Sequence, residues 1–267
     1  MFATYAVAGA LLIVARSLTI KDQRAKIRDA WLAIGLIAGA VYSLPMATWL
    51  TTSQTQTFDA VLYRADCVLG LTGQGLCWYA NTRPVLWSML AVIYQGIPLW
   101  VALVYVVERD LEMLEVLALG LMIAPAFYWL VPAVGPVHAF PGWPYQEPHV
   151  AFRLLTENNS LLPRNCFPSG HLMLAFVPVL YARTWRLRAL ALGYLALMVM
   201  ATVGSGEHYV VDLLAAIPYS LAVRAVVRSK FREEVSSCTL TWFSTLSLST
   251  RRSSLSRSAA ASRLPSE

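Results

Sequence analysis

Long apolar runs separated by short polar stretches fill most of the chain from Phe2 to Val227. A helix needs about 20 mostly apolar residues to cross the hydrocarbon of a bilayer. Runs of that kind are Phe2 to Leu18, Ala30 to Leu50, Val85 to Val107, Leu114 to Val134, Ser169 to Tyr181, Leu187 to Gly204 and Tyr209 to Val227. They predict seven membrane helices, the first and fifth short for a full crossing. Between the second and third runs, Phe58, Val61, Leu62, Ala65 and Leu69 recur at helical spacing, with Asp59, Arg64 and Asp66 between them. That pattern predicts an amphipathic interfacial helix, with a lipid gate as the alternative. The connection from Ala133 to Phe167 holds Gly135, Pro136, Pro141, Gly142, Trp143, Pro144 and Tyr145, and its aromatic content predicts an ordered cap at the interface.

From Glu233 to Glu267 the chain turns Ser- and Arg-rich, which predicts a disordered tail dispensable for chemistry. Three regions follow: 1–29, an N-terminal transmembrane helix and basic loop; 30–232, a membrane-embedded core; and 233–267, the tail. The predicted fold class is all-α, a polytopic membrane bundle of six core helices plus one extra N-terminal helix.

Composition agrees. Of the 267 residues 57% are hydrophobic and 13% charged, whereas a soluble domain carries about 25% charged residues; mean hydropathy is +0.55. The net charge of +6 does not indicate nucleic acid, because the basic residues cluster between apolar runs. No positive charge precedes the first run, and Arg16, Lys21, Arg24, Lys26 and Arg28 follow it, so it reads as a retained helix with its N-terminus outside. Arg183, Arg186 and Arg188, and later Arg224, Arg228, Lys230 and Arg232, mark further cytoplasmic segments. The expectation is a multi-pass protein of the cell or plasma membrane. Cys67 and Cys77 fall in one outer loop, where a disulfide is open on spacing alone, while Cys166 and Cys238 look unpaired. The cysteines show no metal-type pattern.

Two polar motifs interrupt this apolar chain: Pro168-Ser169-Gly170-His171 and His208-Tyr209-Val210-Val211-Asp212. The first opens a helix, where unpaired N–H groups and the positive end of the helix dipole offer an anion cradle and glycine admits close approach. An ordinary Ser N-cap explains the tetrapeptide equally well. His171 stands in the same first turn, placed to neutralise phosphate and to protonate a leaving oxygen. His208 and Asp212 are four apart, so on a helix they share a face and the carboxylate can fix the imidazole tautomer. Ionisable groups at two apolar helix ends on one membrane face point to a reaction centre.

PSGH followed by HYxxD resembles the type 2 phosphatidic acid phosphatase superfamily, over roughly Leu114 to Val227. The HYVVD element, with Pro132-Ala133-Val134-Gly135-Pro136 and Phe140, is most similar to the branch of the fungal inositol phosphorylceramide synthases and the sphingomyelin synthases. The resemblance implies a helical bundle in which His208 attacks phosphorus, Asp212 orients it and His171 protonates the departing oxygen. Ser169 and Gly170 would hold the phosphoryl oxygens, and the reaction would pass through a phosphohistidine without cofactor or metal. The implied partners are a phospholipid donor, a lipid alcohol or water as acceptor, and the bilayer.

Typical phosphatases of the superfamily also carry a Lys, an Arg-Pro pair and a Ser-Arg before the nucleophile. Here Ala201 and Thr202 take the place of the Ser-Arg. Arg83-Pro84 has Leu76 where the Lys should be and reads as a loop and helix start. Arg164 is the nearest replacement cation, Arg153 a weaker one, and an interfacial arginine anchored to headgroups is the plain alternative. Glu207 has no assigned role. Transfer of a phosphoryl headgroup is the expected reaction, and hydrolysis of phosphatidic-acid-like or isoprenyl phosphates the alternative. Three other readings stand behind these: a metalloenzyme using His171, His208, Asp212 and Glu207; an intramembrane serine protease; and a non-enzymatic lipid carrier.

Overall fold

The computed structural model describes residues 2–52, 54–148, 155–158 and 161–229. The expected tail and Cys238 lie outside them, as does Arg153. The order is α1 (Phe2–Ser17), α2 (Gln23–Thr51), β1 (Gln56–Thr57), α3 (Asp59–Leu69), α4 (Gln74–Asn81), α5 (Pro84–Gln95), α6 (Ile97–Glu108), α7 (Leu111–Leu130), α8 (Pro136–Ala139), β2 (Thr156–Glu157), α9 (Gly170–Tyr181) and α10 (Trp185–Gly204). A last helix, α11, spans Val210–Ser229. The two strands pair antiparallel over two residues each, so the fold is an all-α membrane bundle.

Helices α7, α10 and α11 are each 20 residues long and apolar enough to cross a membrane, and α1 and α9 are shorter apolar helices. The run from Val85 to Val107, expected as one helix, is instead the pair α5 and α6, bent by 53°. The break falls at Gly96, followed by Pro98, and proline in the first turn of α6 forfeits no helical bond. Arg83-Pro84 behaves as expected: Pro84 opens α5 and the Arg83 guanidinium lies 3.6 Å from the centroid of the Tyr79 ring.

Helices α7 and α9 pack together and run in opposite directions. At one end the Tyr181 hydroxyl, closing α9, donates to Glu112 in the first turn of α7 at 2.6 Å. Charged groups gather there: Arg183 pairs with Asp110 at 2.9 Å, and Arg109 with Asp29 at 2.8 Å. At the other end, the chain leaving α7 meets the start of α9 and the link between α10 and α11. An aromatic plug fills this end, with Leu62, Tyr63, Cys77, Ala133, Trp143, Cys166 and Tyr209 in one buried cluster. The cap expected between α7 and α9 is ordered over its described residues and contributes Trp143 and Phe140 to that plug.

Candidate active site

Ser169 is the N-cap of α9. Its backbone is extended and its Oγ accepts from Leu172 N at 3.3 Å, the bond an N-cap makes with an orphan donor of the first turn. The plain N-cap reading is therefore correct, and a second contact goes beyond it: the same Oγ lies 3.5 Å from His208 Nε2. His171, one residue into α9, stacks on Tyr94 with centroids 3.9 Å apart and planes at 21°. Its ring centroid is 6.0 Å from that of His208. The two motifs meet at the start of α9.

His208 and Asp212 meet as well, though not by sharing a helix face. His208 precedes α11, and Asp212 stands in its first turn. Asp212 reaches back, accepting Tyr209 N at 3.0 Å and facing His208 Nδ1 at 3.1 Å through the same Oδ2. This is the backward half of a capping box, with an aspartate in the third helical position and Tyr209 as N-cap. The five-residue motif thus builds a helix start and a carboxylate–imidazole pair at once. With Nδ1–H donated to Asp212, the lone pair of Nε2 points towards Ser169. Burial pulls the His208 imidazole towards the neutral form, but the charges of Asp212 and Glu207 prevail and its pKa is raised.

Cys166 is the site residue that the sequence reading missed. Its thiol donates to Asp212 Oδ2 at 2.7 Å and lies 3.6 Å from His208 Nδ1. Cys166, His208 and Asp212 place one ligand atom each within 4.8 Å of one another, a grouping that could hold a metal. It differs from the grouping considered on sequence, because His171 stacks on Tyr94 and Glu207 pairs with His138 at 3.4 Å. That pair is partly exposed, and the bond from Glu207 raises the His138 pKa.

Helix α3 explains how the site is held. An amphipathic helix at a membrane surface ordinarily turns its carboxylates to water, but Asp59 and Asp66 are buried on the inner face beside Leu62 and Tyr63. Asp59 accepts Val134 N and Gly135 N, each at 3.1 Å, and the Tyr209 hydroxyl at 2.9 Å. Asp66 accepts Val210 N at 2.8 Å and Val211 N at 2.7 Å, the orphan donors of the first turn of α11. Gly135 brings its loop against the residue before His208: its φ is +89°, and a Cβ there would stand 2.2 Å from the Glu207 carbonyl oxygen. Cys67 and Cys77 are not joined. Cys67 is exposed on α3, whereas Cys77 is buried on α4 with its sulfur accepting from Asn81 at 3.4 Å.

Burial, reinforced by the Asp212 charge, lifts the Asp66 carboxyl to about 6 against the pull of its two N–H donors. The folded protein therefore binds a proton there that the unfolded chain, near 4, has released. This contribution to stability is complete below about pH 4 and is lost as pH rises through about 6. Thermal unfolding at pH 4 to 7, wild type against Asp66→Asn, reads it directly. The difference in unfolding temperature should move against the wild type as pH rises, and a pH-independent difference would refute the shift.

Arg164 lies in the loop before α9 and is 1% exposed. Its guanidinium donates to the carbonyls of Leu162 at 2.9 Å and Asn158 at 2.8 Å. Ala201 and Thr202 are buried in α10, with the Thr202 hydroxyl donating to Met198 O at 2.9 Å. They add no charge to the site.

A family model described as PAP2 superfamily matches residues 60–226, more than half of the chain and the whole of both motifs. The chain belongs to the PAP2 superfamily. No curated protein and no solved structure matches it significantly. Membership supports phosphatase or phosphotransferase chemistry on lipids in a membrane setting.

Proposed function

We propose that this PAP2 superfamily protein moves a phosphoryl headgroup from a phospholipid to a lipid alcohol, as in the inositol phosphorylceramide and sphingomyelin synthase-like branch. The observation that carries the reading is the His208 imidazole, held through Nδ1 by Asp212 with Nε2 facing the start of α9. Nε2 attacks phosphorus, the N–P bond forms and the P–O bond to the diacylglycerol breaks, with the departing oxygen taking a proton from His171. A bound phosphate favours the imidazolium this step needs. Ser169 and the first N–H groups of α9, opened by Gly170, receive the phosphoryl oxygens. An acceptor hydroxyl then returns its proton to His171, attacks phosphorus and releases His208.

Charge argues for the donor. A phosphomonoester carries about −1.5 to −2 at neutral pH, and a diester carries one charge. A site with Ala201 and Thr202 in place of the Ser-Arg pair suits the diester. Positive loops at the charged end of the bundle support an extracytoplasmic site at the other end. The test is kcat/KM for a matched diester and monoester lipid, with and without a ceramide- or diacylglycerol-like acceptor. Diester preference with transfer to the alcohol is expected; monoester preference with water as acceptor returns the protein to the lipid phosphatases. Arg164→Ala belongs in the same assay. If Arg164 serves its loop, both donors lose turnover alike, whereas a direct phosphate contact makes the monoester lose more. The metal reading draws on the Cys166, His208 and Asp212 grouping, and inhibition by chelators without inhibition by vanadate would favour it.

A further inference from the structure

Tyr128 stands in the last turn of α7, 8% exposed, where α7 packs against α9. Its hydroxyl lies 3.1 Å from the point where a Cβ on Gly170 would stand. That places it at the first turn of α9, beside Ser169 and His171. Several other phenols of the bundle are partnered: Tyr209 with Asp59, Tyr105 with Asp29, Tyr181 with Glu112 and Tyr194 with the Ile93 carbonyl. No protein hydrogen bond meets the Tyr128 hydroxyl among the described residues. A phenol whose ring is buried while its hydroxyl keeps no protein partner has a donor left over for a ligand.

We propose that Tyr128 is a phosphoryl-binding residue, its hydroxyl donating to a non-bridging oxygen of the lipid phosphate seated at the start of α9. The proposal rests on the reading of this end as a phosphoryl-transfer site. Two features of the helix start acquire a common reason. Gly170 keeps open the space between the helix and the hydroxyl, which a methyl group would enter. The hydroxyl also supplies a neutral donor where Ala201 and Thr202 supply no cation, so it stabilises the single charge of a phosphodiester without over-neutralising it.

Tyr128→Phe keeps the ring and removes only the hydroxyl. The probe is orthovanadate, a phosphoryl mimic, added to the full chain in detergent while thermal unfolding is followed. Wild type should be stabilised by vanadate, and the variant should need roughly 10- to 100-fold more for the same shift, the loss of one hydrogen bond to a charged group. Without vanadate the two should unfold at similar temperatures. The kcat/KM for whichever lipid the wild type turns over should fall by a like factor. Gly170→Ala, whose methyl displaces the hydroxyl, should weaken vanadate binding in the same direction and gives a second reading if Tyr128→Phe folds poorly. Unchanged vanadate affinity in the folded variants overturns the role of Tyr128 while leaving the site reading intact. A wild type that does not bind vanadate overturns both.

Discussion

His208→Ala should reduce turnover by roughly 10⁴-fold or more, the scale on which enzymes lose activity when a covalent nucleophile is removed. The residue does little for the fold that alanine would not preserve, because the α11 start is held by Asp66 and Asp212 through Tyr209 N, Val210 N and Val211 N. The variant should therefore fold and still bind vanadate at the start of α9. His171→Ala should also lose most turnover, and the double variant should be little worse than His208→Ala alone, since a nucleophile and its proton donor act as one unit. The measurement is steady-state turnover of a labelled lipid donor by purified single and double variants. Near-native turnover by His208→Ala would remove histidine as the nucleophile.

Asp212→Asn should reduce kcat by about 10²- to 10⁴-fold with little change in KM, the range seen where a carboxylate orients a catalytic imidazole. Three donors converge on Oδ2: the Cys166 thiol, Tyr209 N and His208 Nδ1. An asparagine carbonyl can take that place. Its amide then falls where Asp212 Oδ1 stands buried without a hydrogen-bond partner, so the geometry survives and the charge is lost. A variant with unchanged unfolding temperature and collapsed kcat separates electrostatic stabilisation of His208 from simple scaffolding. Unchanged kcat would place Asp212 among the capping residues alone.

Hydrocarbon thickness imposes its length on any crossing helix, and for that reason the bundle was legible in the apolar runs. The bend at Gly96 was visible too, in a glycine two residues before Pro98, but hydropathy averages over such punctuation. The PSGH and HYVVD motifs stood out as a candidate site because each keeps its parts within five residues. What escaped was long-range. Asp59 meets Val134 across 75 positions and Tyr209 across 150, and no local pattern tells a buried carboxylate from one on the wet face of an amphipathic helix. Cys166 was closer to hand, three residues before Ser169, yet its meaning depends on Asp212, which only the folded chain brings beside it. The shared-face argument for His208 and Asp212 reached the right pair by the wrong geometry, since four-residue spacing also describes a residue just outside a helix and the carboxylate that reaches back to it.

Covalent capture is the most direct test of the account. A phospholipid donor labelled at phosphorus is mixed with the full-length protein, quenched in alkali within one turnover and digested. An alkali-stable, acid-labile label is expected on the peptide containing His208, absent in His208→Ala and discharged by a lipid alcohol. Turnover that proceeds with no such label, or with the label on another residue, would contradict it.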